Sequence, residues 1–383
     1  MIRKIPVVAT PIYLKDLFYY RHLFKKGLDP KEQFINSFGN YIGAKYTFLF
    51  NSATSSFYII LTSLKRISEK REVVLPAYTA SSLVLAVRKA GLIPVFCDIS
   101  LDDFNMDLKA LPGLVNKDTL CIVGVHMFGI PMEGLEEIKA EFPGVFLVED
   151  CAQSLGSRLK GRLVGNTGDI SLFSFNRGKN LPTYGGGCIA TNSVEVAEEI
   201  KKASALFVEK NNLFLEWLGI LKIIALYVAV KPHLYGALHF LISPFKEQSG
   251  VCDFSVRGYT DFNASVALSI LKGIDKMSKA RYENGMKIIK ALKLEKDIIT
   301  PRISEDTQPA FNRLPIVFKD LHKRRRIKNE LRHLGIESSY MYTAPLATLT
   351  NSVYLSGHLL TIPVHPLVGN KEIDRIIKTI RNT

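Results

Sequence analysis

The sequence predicts an α/β fold built on a mostly parallel sheet, and three observations carry that prediction. Short apolar runs alternate with helical stretches between about residues 31 and 191. Such alternation means parallel strands joined by crossover helices. The runs end in small, polar or charged residues, where open α/β sheets keep their ligand sites. Near residue 251 the pattern changes, which marks a second, smaller unit.

Residues 31–47 read as a helix leading into a strand, Tyr46 to Phe50. The turn Asn51 to Ser56 then opens a helix from Phe57 to Ile67. A strand at Val73 to Leu75 ends at Pro76, and a helix with apolar period runs from Ser81 to Ala90. Pro94 to Asp98 and Thr119 to Val125 are the next strands. Met132 to Glu141 reads as a helix and Val145 to Glu149 as a strand. Ile170 to Phe175 and Cys188 to Thr191 complete the strand set. Asn263 to Met286 is expected as one long helix, Arg313 to Phe318 as a strand, and Lys319 to Leu334 and Ile373 to Ile380 as helices. The division expected is a large domain over 1–250 and a smaller α+β domain over 251–383.

Residues 213–242 stand apart. Leu213 to Val230 is apolar but interrupted by Glu216 and Lys222, and Pro232 breaks it. A spanning helix needs about 20 mostly apolar residues without such breaks. Three readings stay open: a buried or subunit-contact helix, a helix lying in a membrane interface, favoured by Trp217, the lysines and the positive charge, and a true span.

Of the 383 residues, 47% are hydrophobic and 22% charged, a globular composition. A net charge of +14 favours anionic partners. No aromatic-interleaved or helix-turn-helix signal accompanies it, so nucleic acid is not expected. The basic run Lys323 to Arg326 reads as a solvated helix face. Five cysteines without metal-ligand spacing read as reduced, buried thiols, and no metal is expected. The N-terminus has no continuous apolar run of the kind a signal peptide needs, so a cytoplasmic location is expected.

The chemistry concentrates between Val148 and Thr191. An apolar strand delivers Asp150, a second delivers Ser174, and Lys179 follows five residues later, before Gly185-Gly186-Gly187. A buried carboxylate at a strand end is costly without a cationic partner. A protonated pyridine nitrogen is such a partner, and a lysine amine forms the imine that holds pyridoxal phosphate. Gln153 is placed to meet the ring's phenolic oxygen. Ser174 and the hydroxyls of the 52–56 turn suit a phosphate at a helix start. Read singly, Asp150 caps a helix and Lys179 is a solvated charge. Read together, they make a cofactor site.

These residues resemble the DegT/DnrJ/EryC1/StrS family of fold-type I sugar aminotransferases. The resemblance covers about residues 30 to 380. Its strongest stretch joins Glu149-Asp150-Cys151-Ala152-Gln153-Ser154-Leu155-Gly156 to Gly165, Gly168-Asp169, Ser174-Phe175, Lys179 and the glycine triplet. Leu75 to Thr79, Pro94 to Asp98, His126 to Pro131 and Ile362 to Pro366 support it. It implies a seven-stranded, mostly parallel sheet between helices, with a smaller C-terminal α+β domain. It also implies Lys179 as the Schiff-base lysine, Asp150 at the pyridine nitrogen, Gln153 at the ring oxygen, and Ser174, Thr54 and Ser55 at the phosphate. The implied reaction moves an amino group from a donor such as glutamate to a nucleotide-linked keto-sugar, in a homodimer. Family dehydratases carry histidine in place of this lysine, so Lys179 argues against dehydration. A non-catalytic protein of the same fold at a membrane surface is the reading from another class.

Four departures stand out. Ala53 replaces the glycine of a Ser-Gly-Thr turn. Ala80 stands where an aromatic often stacks on the ring, with Tyr78 and His126 as substitutes. The Asn-Tyr-Arg run of the partner subunit is missing near Val256-Arg257-Gly258, leaving Arg257 or Arg177 to supply charge. The apolar block at 213–242 hints at peripheral contact with the inner membrane face, and at a lipid-linked substrate.

Overall fold

The computed structural model describes residues 4–209, 211–231, 235–236 and 253–383. Pro232, most of the rest of 232–242, and Cys252 lie outside the described residues.

Seven strands form the central sheet: β1 (Tyr46–Phe50), β2 (Glu72–Pro76), β3 (Ile93–Cys97), β4 (Thr119–Val125), β5 (Phe146–Asp150), β6 (Ile170–Ser174) and β7 (Gly187–Thr191). Their order is β1-β7-β6-β5-β4-β2-β3. The pairs from β3 to β6 are parallel, and β7 runs antiparallel to both β1 and β6. Every residue of β4, β6 and β7 is buried, as continuous apolar strands covered on both faces must be. One layer packs Phe57, Ile60, Leu61 and Leu64 of the Ala53–Ile67 helix against the sheet. The Pro30–Ile42 helix brings Phe34 and Phe38 edge-on to Phe175 and Phe173, with centroids 5.1 to 5.4 Å apart.

The register explains why one sheet edge becomes the site. Phe50 and Ser174 both pair with Gly187, and Asp150 pairs with Leu172 and Val125. The residues leaving β1, β5 and β6 therefore emerge together.

The second sheet is antiparallel: β8 (Ile298–Ile299), β9 (Leu314–Phe318) and β10 (Leu359–Ile362), in that order. Helices Ile274–Leu292, Leu321–His333 and Asn370–Asn382 pack around it. The basic cluster is used within this unit. Lys323 pairs with Asp297 at 3.0 Å, and Arg324 and Lys328 sit over the Tyr340 ring.

Two element boundaries correct the sequence reading. The helix expected from Phe57 begins at Ala53, with Ser52 as its cap accepting from the Ser55 N–H at 3.0 Å. Four small polar or alanine residues in its first turn carry no apolar period, so periodicity finds the helix late. The single helix expected over 263–286 is two, Asp261–Leu271 and Ile274–Leu292, broken at Lys272-Gly273. The first of these packs on the Pro30–Ile42 helix and on the Leu213–Ala229 helix.

Leu213–Ala229 is one helix attached by Ile223 and Leu226, its buried residues. Its other face leaves Leu213, Phe214, Trp217, Leu221 and Ile224 exposed. Among the described residues no helix is long and apolar enough to cross a membrane.

Gly285 shows how tightly the C-terminal region is packed. A Cβ there would stand 2.4 Å from the buried ring of Phe311. Gly285→Ala should therefore lower stability by about 1–3 kcal/mol through overpacking, against the roughly 1 kcal/mol that alanine gains in helix propensity. Gly357→Ala, in a helix with nothing within 4 Å, should not. Thermal midpoints of the two variants measure the difference; equal midpoints would contradict this packing.

Candidate active site

Asp150 is the last residue of β5 and is buried. Its Oδ1 accepts from the Ala152 N–H at 2.8 Å. Burial raises its pKa above the usual carboxylate value, while the Ala152 N–H, Lys179 and His126 pull the other way. Lys179 follows β6 in the loop Phe175 to Gly186. Burial pushes its ammonium down to about 8; Asp150 opposes this and Arg313 adds to it. The two groups thus act on each other, one at the end of β5 and the other in the loop after the adjacent β6. At neutral pH such a lysine is neutral about one time in ten, roughly 300-fold more often than an ordinary lysine.

The lysine loop is clamped through its backbone. Thr10 Oγ1 donates to the carbonyls of Lys179 at 3.0 Å and Asn180 at 3.2 Å. Asn312 Nδ2 donates to the Gly178 carbonyl at 2.5 Å. Asn180 Nδ2 ties the loop to the Leu155 and Ala310 carbonyls. Behind Thr10 lies Arg281, wholly buried, donating to Thr10 Oγ1 at 2.9 Å and to the carbonyls of Ala9, Phe311 and Asn312. Burial lowers its pKa to about 9. Sequence reading missed Thr10, Arg281 and Asn312; no local motif marks them.

Gln153 is buried beside Asp150. Its Nε2 reaches the Met127 thioether at 3.5 Å and also faces the Tyr342 phenol, while its Oε1 has no partner. A ring oxygen would give this amide a stronger acceptor than sulfur. Tyr342, also missed, comes to the same place from the small unit. It holds a left-handed backbone, φ 48°, and its phenol feels Arg313, Asp150 and the Gln153 amide. Tyr78 lies behind it, ring centroids 5.4 Å apart, and donates to the Met341 carbonyl.

The phosphate candidates separate. Ser174 ends β6, and its Oγ accepts from the Asn176 N–H at 3.4 Å. Thr54 stands half-buried in the first turn of the Ala53 helix. Ser55 turns inward, fully buried, its Oγ donating to the Ser255 carbonyl at 3.1 Å and lying 2.8 Å from Ser52 Oγ. Ala53 takes the first helical position, which needs no glycine. The glycines matter next door: a Cβ on Gly187 would meet the Ser52 carbonyl at 2.5 Å, and one on Gly186, φ +108°, the Tyr259 ring at 2.3 Å. Arg257 is spent on Glu209, Nε to Oε2 3.0 Å, and Arg177 sits over the Tyr184 ring.

Ala80 caps the Ser81–Lys89 helix and offers no ring. Of the two suggested substitutes, His126 is committed elsewhere. Its Nδ1 accepts from the Met132 N–H at 2.9 Å, so Nε2 carries the proton that meets Glu149 at 3.1 Å. Glu149 faces away from Asp150 by strand alternation. It also accepts from the Gly165, Thr167 and Gly168 N–H groups. Burial would raise its pKa, but His126 and these N–H groups hold it below the usual value.

An amine made partly neutral, a buried carboxylate, an under-used amide and a hydroxyl-bearing helix start fit pyridoxal phosphate in chemistry and placement. On this scaffold they define a fold-type I pyridoxal-phosphate aminotransferase. A family model, the DegT/DnrJ/EryC1/StrS aminotransferase family, matches residues 23–381, and the chain belongs to that family. It is similar to the spore coat polysaccharide biosynthesis protein SpsC of Bacillus subtilis, 25% identical, covering 92% of this chain and 88% of the relative. It is 36% identical to dTDP-3-amino-3,4,6-trideoxy-alpha-D-glucose transaminase of Micromonospora megalomicea over 45% of this chain and 46% of that one. The structure superposes on Helicobacter pylori PseC, an aminotransferase involved in the biosynthesis of pseudoaminic acid. The TM-score is 0.78 at 18% identity, covering 99% of both chains.

The geometry makes a pH prediction. Apoprotein lysine must lose its proton to react with the aldehyde, so the rate of cofactor uptake should rise with pH through about 8 and level above it. Asp150→Asn removes the charge that raises this value, so its midpoint should fall below wild type. A midpoint near that of free lysine in both proteins would contradict the burial argument.

Proposed function

We propose that the protein transfers the amino group of an amino-acid donor, glutamate first, to a nucleotide-linked keto-sugar. The Asp150–Lys179 pair carries this reading, and the sugar-directed relatives support its substrate class. Bound pyridoxal phosphate supplies an electron sink conjugated to the reacting carbon. Asp150 holds the ring-nitrogen proton, which keeps that sink electron-poor. Gln153 orients the ring through its oxygen. Ser174 and Thr54, with the N-terminal turn of the Ala53 helix, anchor the phosphate. Lys179 Nζ would hold the cofactor's aldehyde end and, once released by the donor amine, would act as the base that takes the proton of the donor's α-carbon, work suited to a pKa near neutrality. The donor leaves before the sugar enters, so kinetics are ping-pong.

The active form in this reading is a cytoplasmic homodimer. The helix Leu213–Ala229 touches the inner membrane face through its exposed stripe, with Trp217 66% and Leu221 61% exposed, and the net charge of +14 draws it to anionic lipid.

Two measurements check this. Purified protein should show a band above 400 nm that glutamate bleaches and borohydride removes; Lys179→Ala should lack it, and a variant retaining it would overturn the assignment of Lys179. Wild type should float with anionic liposomes, and a Trp217→Gln, Leu221→Gln variant should float less. Flotation by neither removes the membrane contact.

A further inference from the structure

Arg313 precedes β9, and its Nε lies 3.4 Å from Oδ1 of the Asn312 side chain that holds the Gly178 carbonyl, which places it beside the lysine loop. Its own contacts are thin. Nε meets Asn312 Oδ1 and Nη1 meets Ser339 Oγ, each at 3.4 Å. Its charge acts on Lys179, Tyr342 and Tyr78, and among the described residues no carboxylate forms an ion pair with it. A partly buried guanidinium without an acid partner is costly unless an anion arrives.

We infer that Arg313 receives the α-carboxylate of the amino donor and so selects an amino acid for the first half-reaction. This rests on the aminotransferase reading above. The carboxylate of an amino acid is one bond from the carbon that surrenders its amine. A guanidinium acting on Lys179 is therefore at the right end of the substrate. The phosphates of a nucleotide sugar are held off from the ketone by the sugar ring, so they fit this position poorly. A planar guanidinium offers a carboxylate two parallel N–H donors. The Tyr342 and Tyr78 phenols, both raised in pKa by burial first, stay neutral beside it and do not compete as anions. Arg313 exchanges no proton; it positions the donor while Lys179 acts.

The test uses holoprotein and follows bleaching of the band above 400 nm by glutamate. Arg313→Gln should raise the half-saturating glutamate concentration by about 100-fold, the scale of a lost charge-assisted pair of hydrogen bonds. The band itself should persist, and the pH midpoint of cofactor uptake should move above wild type, because a charge that helps lower the Lys179 pKa is gone. Arg313→Lys keeps the charge without the fork and should show at least a tenfold rise; it serves alone if the glutamine variant does not fold. Unchanged half-saturation in either variant, with wild type bleaching normally, overturns the role of Arg313 and leaves the function standing. A wild type with the band that no amino acid bleaches overturns both.

Discussion

A buried aspartate at a strand end and a partly buried lysine in the loop after the neighbouring strand set the terms for the rest of this molecule. Burial works against each charge, and each charge partly sustains the other. The arrangement is stable only if the backbone refuses to relax. The parallel strands β5 and β6 fix one side, and the Thr10, Asn180 and Asn312 hydrogen bonds fix the loop. Arg281, itself a buried cation, has four oxygen acceptors and draws the N-terminal strap, the small unit and the lysine loop to one point.

Consecutive residues of β5 divide labour by facing opposite ways. Glu149 is saturated by His126 and three backbone N–H groups, and its work is to hold the 165–168 turn against the sheet. Asp150 accepts one N–H from Ala152 and keeps capacity for a ligand. Two adjacent acids thus play structural and functional parts because strand alternation sends them to different surroundings. A similar contrast separates Arg281, whose two terminal nitrogens reach four oxygen acceptors, from Arg313, loosely held near the reacting end.

The strands and most helices were legible because apolar runs of five to seven residues between turn residues leave little alternative. Asp150, Gln153, Ser174 and Lys179 were legible for a related reason: each stands at or just after a strand end, where the sheet delivers side chains to a ligand. Helix starts rich in serine and threonine were less so, as the Ala53 helix shows. Ser55 looks like its neighbours in sequence, and only the approach of the Ser255 carbonyl decides that it faces inward. Thr10, Arg281, Arg313 and Tyr342 lie outside any local pattern. They reach the site by chain reversals spanning more than a hundred residues, and periodicity carries no information about such meetings.

The central claim is a covalent one, made by a single nitrogen. Reduction of the holoprotein with borohydride followed by peptide mapping tests it most directly. The account predicts one pyridoxyl label, on the peptide containing Lys179. A label on a different lysine, or none on a protein that visibly holds the cofactor, would contradict it.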